Sequence, residues 1–579
     1  TLKAMELKWV VQPEPDYNVV NRLIRELNIP EIAGRILAAR GMHDPIIAQK
    51  FLNSGLPDLF DPFLMSNMDK AVERVIQALK ANEKIMIYGD YDVDGITGTA
   101  LMFLVLNRLG ASVSYYLPNR LIEGYGISDD GLQEAEKRQI NLLISVDCGI
   151  TAVDEVIVAK KMGIDCIITD HHEPGGKIPE AVAIVNAKLD GPNNPGFELS
   201  AVGVAYKFAQ ALYRKLGQDE NELEQHLDLV ALGTAADIVP MIGENRILTK
   251  FGLQQIARTT KPGLKALIFI AGLMGQKIGT GQVVFILAPR INAIGRLGDA
   301  QQAIKLLSTK DENMAHAIAR ILNAENKRRK DIDEQTLLEA LEQIEQSVDM
   351  SRDRAIVLAS KGWHQGVIGI VASRLVERFH RPTVMIAIDG LEGKGSARSI
   401  PGFHLYEALR ECESELLRYG GHKYAAGLSI LPEKIDSFRQ ALNVVSTRML
   451  SDEDLIPKLD IDAELDLEKI NDDLVVTLEK FSPFGPMNMR PVFVSYAAEI
   501  VGTPHVVGNN HLRFRVRKGN KILDCIGFNL GDFLKNLSYR PLLVDIAYVL
   551  EHNYWNGSNR IQLRLKAVRL TGHTDIVSS

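Results

Sequence analysis

The chain has 579 residues, 46% of them hydrophobic and 24% charged, ordinary values for a globular protein. That balance excludes a disordered, collagen-like or coiled-coil chain, and the length predicts about three to five domains. The formal net charge of −7 argues against a polyanionic partner, an expectation that the C-terminal residues qualify. No apolar run approaches the ~18 residues needed to span a bilayer. The longest, Leu264 to Met274, is interrupted by Gly272 and suits a core helix. The N-terminal TLKAMELKWV lacks the apolar core of a signal peptide and does not begin with Met. Cys148, Cys166, Cys412 and Cys525 form no close metal-type pair. So few cysteines indicate no disulfide scaffold and a reducing cytoplasmic compartment, and the shortness of the apolar runs indicates no membrane.

Residues 1–70 read as mixed helix and loop, with turns at Gly55, Pro57 and Pro62 and no legible function. From 71 onward apolar strands alternate with helical segments. KIMIYGD (84–90) is a strand and TALMFLVLNRL (99–109) a helix; SVSYYLP (112–118), NLLISVDCGI (141–150), DCIITDHHEP (165–174) and AIVN (183–186) are further strands. This alternation predicts a doubly wound parallel α/β sheet over 71–310. Such sheets bind ligands at the carboxyl ends of their strands. No Gly or Pro occurs from Asp299 to Lys361, and 311–347 predicts a long connecting helix of about 55 Å. Its basic cluster, Lys327 to Lys330, reads as a solvated face. RAIVLAS (354–360) opens a smaller, glycine-rich α/β segment over 348–450. Short strands with one helical interruption over 457–570 predict a small β-barrel.

Ligand-type residues gather at the predicted strand ends. GDYDVDG holds Asp90, Asp92 and Asp94, and SVDCG holds Asp147. ITDHHEP holds Asp170, His171 and His172, and ALGTAADIVP holds Asp237. In an extended stretch Asp92 and Asp94 face the same side. Carboxylates that close repel, and burying them together is costly without cations. Any one of these Asp residues suits a cap or turn, and a single His suits a satisfied core position. The set together points to divalent metal. Mixed oxygen and nitrogen donors fit Mn²⁺ or Mg²⁺ better than a thiolate-rich structural Zn²⁺. Five or more ligands suffice for two ions serving attack on phosphorus. A rival reading takes Asp92-Val-Asp94-Gly95-Ile96-Thr97 as the covalent nucleophile loop of haloacid-dehalogenase-type phosphatases. It leaves Asp147, Asp170, His171, His172 and Asp237 idle.

DYDVDG, VDCGI, TDHH and GTAADIVP resemble, in order, the metal-binding motifs of the DHH phosphoesterases. LPNRLIEGYGIS (117–128), LSAVGVAYK (199–207), APRINAIGRLGD (288–299), WHQGVIGIVASRL (363–375), KGSARS (394–399), YGGHKYAAG (419–427) and PFGPMN (483–488) extend the resemblance to the RecJ single-strand-specific exonucleases. It covers about residues 70 to 570. The resemblance implies a DHH catalytic domain (71–310), a connecting helix (311–347), a DHHA1 substrate- and phosphate-binding domain (348–450) and an OB-fold single-strand-binding domain (457–570). It implies a two-metal, 5′→3′ exonuclease that releases 5′-mononucleotides from single-stranded DNA in recombination and repair. The matching catalytic positions are Asp90, Asp92, Asp94, Asp147, His171, His172 and Asp237. All but His172 match as metal ligands, and His172 belongs by the scissile phosphate. Where some DHH proteins carry His, this chain has Tyr88, one potential ligand fewer. A monomer is expected, with a single-strand-binding protein and a RecQ-type helicase as partners. The alternatives are a DHH phosphodiesterase of short RNA or cyclic dinucleotides, and a catalytically inactive DNA-binding relative.

Substrate contacts are expected in three places. KGSARS offers Ser396, Arg398 and Ser399 on a glycine-rich loop, a cradle for an anion, to which His364 and His422 add donors. Arg290, Asn292 and Arg296 of PRINAIGR are placed to clamp phosphate. From Arg490 to Arg569 there are 12 Lys and Arg against 5 Asp and Glu, so the barrel is basic although the chain is acidic. Alternation puts Arg513, Arg515 and Arg517 on one strand face, with Leu512, Phe514 and Val516 inward. Tyr554 and Trp555 in a turn are expected to stack on bases.

Overall fold

The computed structural model describes residues 7–119, 123–297, 300–537, 543–555, 558–572 and 577–578. The chain forms two compact units. Thr1–Asn53, Asp331–Phe481 and Arg490–Ser579 make one; Ser54–Lys330 and Ser482–Met489 make the other. The N-terminal residues contain a strand, β1 (Lys8–Val11), besides the expected helices α1 (Tyr17–Leu27), α2 (Glu31–Ala39) and α3 (Pro45–Asn53).

The second unit begins with α4 (Met68–Ala81), β2 (Lys84–Gly89), α5 (Val93–Arg108), β3 (Ser112–Tyr116) and α6 (Asp129–Lys137). It continues through β4 (Leu142–Val146), α7 (Val153–Lys161), β5 (Asp165–Thr169) and β6 (Ala183–Val185). The sheet runs β3-β2-β4-β5-β6, and every pairing is parallel. Its strands are apolar at consecutive positions because both faces are covered. Ile85, Ile87, Leu142 and Ile144 enter one core, which also takes in α4 and α5. Met86, Tyr88, Leu143 and Ile168 enter the other, with α6 and α7. The chain leaves β2 for β3 on one side and returns to β4 on the other, so the crevice of this sheet opens beyond β2 and β4.

Helices complete the unit: α8 (Ala201–Leu216), α9 (Leu227–Ala236), α10 (Gly243–Ala257) and α11 (Pro262–Ile270). A single turn, α12 (Thr280–Gln282), passes through a π-helical segment at Val283–Leu287 into α13 (Ala288–Leu297), followed by α14 (Gln301–Ser308). Lys207 of α8 is fully buried and pairs with Glu244 of α10 at 3.2 Å. Its ammonium also donates to Phe60 O at 2.5 Å and lies 4.0 Å from the centre of the Phe60 ring. The returning segment Ser482–Met489 lies against the same helices. Arg246 Nη2 donates to Ser482 O at 3.1 Å, Thr280 Oγ1 to Phe484 O at 2.9 Å, and Met241 N to Pro486 O at 2.8 Å.

The long helix α15 (Glu312–Ser347) has 36 residues, as its lack of Gly and Pro predicts, and the two units divide within it. Then come β7 (Ile356–Ser360), α16 (Gln365–Phe379), β8 (Thr383–Asp389), β9 (Glu392–Arg398), α17 (Leu405–Glu411), β10 (Arg418–Gly421), β11 (Ala425–Ile430) and α18 (Ile435–Met449). They build a five-stranded sheet in the order β10-β11-β9-β8-β7. The glycine-rich segments are largely regular structure here, including the KGSARS segment expected as a loop. GVIGIVASRL lies in α16, and GSAR lies in the central strand β9. Glycine permits this because α16 passes so close to β9 that a Cβ on Gly369 would sit 2.8 Å from Ser396 Oγ.

Strand β12 (Lys458–Ile461) pairs in parallel with β1, and β13 (Ala463–Glu464) precedes α19 (Asp472–Glu479). The remaining strands are β14 (Phe493–Val507), β15 (His511–Lys518), β16 (Lys521–Gly527), β17 (Leu543–Trp555) and β18 (Ser558–Leu570). They close as β14-β15-β16-β18-β17, with β17 returning to β14. This is a five-stranded barrel, as the strand spacing predicts. Among the described residues no helix is long and apolar enough to cross a membrane.

The Lys207–Glu244 pair yields a stability prediction. Burial lowers the Lys207 pKa and raises that of Glu244, each opposed by the partner's charge. Glu244→Ala strands a buried ammonium and should cost about 3–5 kcal/mol, whereas Lys207→Met with Glu244→Leu should recover most of it. Urea unfolding of the three proteins checks this; a single variant no weaker than the double one contradicts it.

Candidate active site

The acidic cluster begins where β2 ends. Asp92 has extended backbone, and its Oδ1 accepts from Asp94 N at 2.9 Å and Gly95 N at 3.1 Å. It is therefore the N-cap of α5. This corrects the expectation of an extended Asp92–Asp94 stretch: the cap starts the helix early, and Asp94 stands in its first turn. Asp94 is buried, and its carboxylate accepts from Ala201 N at 2.7 Å and Val202 N at 2.9 Å. Those are the first residues of α8, whose N-terminus favours negative charge. Close approach of α9 completes the fit, since a Cβ on Gly233 would lie 2.8 Å from Asp94 Oδ1 and 2.3 Å from Thr97 Oγ1.

Three residues that sequence reasoning missed hold this corner. Ser200 caps α8 through Gly203 N at 3.2 Å and meets Thr234 Oγ1 at 2.7 Å. Asn245 accepts from Ser200 N at 3.3 Å and donates to Pro240 O at 3.0 Å. All three are buried. Their only signal in the sequence is polarity within otherwise apolar stretches.

Asp147 follows β4 with φ of 67°, a left-handed conformation uncommon for a residue with a side chain. Asp170 follows β5 and organises its neighbours. Its Oδ1 accepts from His171 N at 2.7 Å and lies 2.8 Å from His172 Nδ1, while its Oδ2 accepts from Ile150 N at 3.0 Å. Asp237 corrects a second expectation. It is not at a strand end but caps the C-terminus of α9, because ALGTAAD continues a buried helix.

These side chains meet. His171 Nε2 lies 3.1 Å from Asp147 Oδ1, 3.6 Å from Asp237 Oδ2 and 4.0 Å from Asp94 Oδ2. Three groups place their ligand atoms within 4.8 Å of one another: Asp90, Asp92 and Asp147; Asp94, His171 and Asp237; Asp147, His171 and His172. Burial, then Asp92, pushes Asp94 up to about 7. Burial, then Asp94, pushes Asp237 up to about 9. Asp147 is raised well above its ordinary value by burial and the neighbouring carboxylates. Burial, then His172, lowers His171 to about 4, so its imidazole is neutral at pH 7. For His172 burial works downward, but the Asp170 hydrogen bond and charge raise it overall.

The buried Asp147 Oδ1 and His171 Nε2 have no hydrogen-bond partner among the described residues. Two acceptors facing each other at 3.1 Å are unfavourable unless a cation or a proton lies between them. The oxygen-rich donor set with one imidazole fits Mn²⁺ or Mg²⁺. Tyr88 does not join it. Its hydroxyl contacts Gly126 O and Ser128 Oγ, each at 3.1 Å. A cleft of about 290 Å³ opens beside the cluster, lined by Asp90, Tyr91, Asp92, Tyr125, His172 and Asn292.

The other expected residues divide. Asn292 joins the cleft. Arg290 spends donors on Asn323 Oδ1 at 3.0 Å and Ile286 O at 2.5 Å. In the other unit, Arg398 Nη1 donates to Ser396 Oγ at 3.1 Å and Ala397 O at 2.8 Å, on strand β9 instead of the expected loop. Ser399 Oγ donates to Phe403 O at 2.9 Å, and His364 Nδ1 caps α16 at Gly366 N, 3.0 Å away. His422 is exposed next to β10. Arg513, Arg515 and Arg517 share the exposed face of β15, with Leu512, Phe514 and Val516 inward as expected. Tyr554 and Trp555 end strand β17 instead of forming a turn; their side chains, like that of Arg296, lie outside the described residues.

The crowded carboxylates yield a pH prediction. Asp94 and Asp237 have folded pKa values above their unfolded ones, so above pH 6.5 the metal-free native state holds more protons than the unfolded state. Its stability therefore falls as pH rises. His171, shifted down, opposes this only at lower pH. The melting temperature in EDTA should be lower at pH 8.5 than at pH 6.5, and Asp237→Asn should flatten the slope. An equal or higher melting temperature at pH 8.5 contradicts the prediction.

Three family models match the chain in order: DHH family, N-terminal domain, over residues 84–234; DHHA1 domain over 352–445; and RecJ OB domain over 461–567. The single-stranded-DNA-specific exonuclease RecJ of Bacillus subtilis (strain 168) is 40% identical over 567 residues, covering 97% of this chain and 71% of that protein. The crystal structure of RecJ from Thermus thermophilus in complex with Mn²⁺ superposes with a TM-score of 0.82 at 30% identity, covering 97% of this chain and 80% of that one. The Mg²⁺ complex of the same protein gives 0.77 at 28% identity, with 97% and 78% covered. Likeness of this extent, through the sheet, the acidic cluster and the barrel alike, places the chain in the RecJ family of single-stranded-DNA-specific exonucleases.

Proposed function

We propose that this chain is a metal-dependent 5′→3′ exodeoxyribonuclease that releases 5′-mononucleotides from single-stranded DNA in recombination and repair. The observation that carries the reading is the convergence of Asp94, Asp147 and Asp237 oxygens on the neutral His171 nitrogen. Residues 71–310 act as the catalytic domain, 311–347 as the connecting helix, 348–450 as the substrate- and phosphate-binding domain and 457–570 as the single-strand-binding domain.

Asp90, Asp92, Asp94, Asp147, His171 and Asp237 would hold the divalent metal, their ligand atoms gathering in the groups Asp94–His171–Asp237 and Asp90–Asp92–Asp147. Mn²⁺ or Mg²⁺ bound there supplies the Lewis acidity that activates water and offsets charge at phosphorus. Asp170 Oδ1 accepts from His172 Nδ1–H, which leaves Nε2 for the cleft. There His172 gives a proton to the departing 3′ oxygen. The N-terminus of α8 keeps Asp94 oriented without a competing cation. Asn292 lines the approach to the scissile phosphate, and Arg290, whose donors are held by Asn323 and Ile286, contributes less.

On the unit that carries β9, Ser396 and Arg398, which face one way on that strand, bind the 5′ phosphate with Ser399, His364 and His422; on the unit that carries the acidic cluster, Arg296 contacts the DNA backbone. The strand beyond is tracked by Arg513 and Arg515 while Tyr554 and Trp555 stack on bases. Arg517 contributes less, because Glu499 already pairs with it at 2.7 Å. Family membership supports a monomer that works with a single-strand-binding protein and a RecQ-type helicase. The four buried cysteines are free thiols, which fits a reducing cytoplasm.

Mn²⁺ titrated against a labelled, 5′-phosphorylated oligonucleotide tests the reading. Wild type should release mononucleotides only with metal, and Asp92→Ala and Asp147→Asn should each lose at least about a hundredfold in rate. Metal-independent release, or full activity in both variants, defeats it. Arg398→Ala should raise KM for 5′-phosphorylated ends by about tenfold; an equal rise for 5′-hydroxyl ends removes Arg398 from the 5′-phosphate site.

A further inference from the structure

The segment Glu123–Ser128 carries a tyrosine that no step above uses. Tyr125 stands between Gly124 and Gly126, whose φ angles are 86° and 94°. Residues with side chains rarely adopt such angles, so this turn needs its glycines. The turn is stapled to the sheet from both sides. Glu123 Oε2 accepts from Tyr116 Oη at 3.0 Å and from Ser128 Oγ at 2.5 Å. Tyr88 Oη, already in contact with Gly126 O, accepts from Ser128 N at 3.0 Å. Thus Tyr88, which takes no part in the acidic cluster, fixes the turn that carries Tyr125.

The turn delivers one hydroxyl to two places. Tyr125 Oη donates to Asp147 O at 3.0 Å and lies 3.1 Å from His172 Nδ1. The two rings meet edge to face, with centroids 5.5 Å apart. A phenol ordinarily titrates at about 10, so at neutral pH it keeps its proton. A phenol has one proton, and the Asp147 carbonyl takes it. Toward His172 the oxygen is therefore an acceptor, and Nδ1 carries a hydrogen shared between Asp170 and Tyr125. Asp147 needs the anchor because its left-handed backbone is strained for a residue with a side chain and persists only where its surroundings hold it. On the opposite side Asp147 N donates to Thr169 O at 3.1 Å.

We propose that Tyr125 is a positioning residue, whose single hydroxyl holds the backbone of Asp147 and the ring plane of His172 in register with each other. It links the ends of β4 and β5, where the two residues arise from separate strands. The inference rests on the hydrolytic reading above for its kinetic consequence, but not for its effect on cation binding.

Tyr125→Phe keeps the ring and removes both hydrogen bonds. Mn²⁺ affinity of the free full-length protein, measured by titration with electron paramagnetic resonance, should weaken on the order of tenfold. On a 5′-phosphorylated oligonucleotide kcat should fall by a similar factor, with KM within twofold and the melting temperature unchanged. Mn²⁺ affinity and kcat both within twofold of wild type would overturn the proposal. So would losses that track a fall in melting temperature, since they would mark a purely structural residue. A wild type that releases no mononucleotides would instead remove the hydrolytic reading and leave the Mn²⁺ comparison as the test of Tyr125.

Discussion

Carboxylates brought together out of water repel strongly, and this repulsion sets the terms for the unit that contains them. Asp90, Asp94, Asp147 and Asp170 are all buried around one sheet edge. In a medium of low polarizability such charges cannot coexist without compensation. The fold supplies part of it as oriented N–H groups. The N-terminus of α8 faces Asp94, the N-terminus of α5 faces Asp92, and the β5 turn faces Asp170. The remainder is left to protons or to cations, which makes the cluster a poor structural element and a good cation trap. The parallel sheet is what makes such convergence possible. All its strands end on one side, and the exchange of direction between β2 and β4 opens a crevice there.

The polar residues around the cluster answer the same constraint at one remove. Ser200, Thr234 and Asn245 fix where α8 begins, and so fix the two amides that hold Asp94. Gly233 lets α9 pass close enough to bring Asp237 to the same place. Asp170 is spent entirely on neighbouring N–H groups, so it shapes the His171–His172 pair without facing the cleft. Function here depends on backbone placement at least as much as on the charged side chains themselves.

Much of this was legible in the residues. Consecutive apolar positions in KIMIYG and LLISV give a strand covered on both faces, and the acidic and His residues stand out because buried charge is rare. The absence of Gly and Pro before Lys361 marked α15, and strict alternation marked the exposed face of β15. Other features were not legible. Asp92 and Asp94 separate because a cap begins a helix between them, and a cap shows itself only through its hydrogen bonds. The run before Asp237 suits a strand end as well as a helix, since short apolar runs fit either form, and ALGTAA continues the helix. The glycines of GSAR suggested a loop, whereas their role is to let α16 lie on β9. Tyr125 and Asn245 carry no local pattern, because their partners come from distant parts of the chain.

The order in which the chain visits its two units has a temporal consequence. Residues 54–330 contain the acidic cluster, but Ser482–Met489 belongs to the same unit and carries Pro486, whose carbonyl receives Met241 N just beyond Asp237. A ribosome adding about 5–20 residues per second makes Asp237 on the order of ten to fifty seconds before Pro486. For that interval Met241 N lacks the Pro486 carbonyl, and the hydrogen bond forms only once synthesis has reached the residues just before the barrel strand β14.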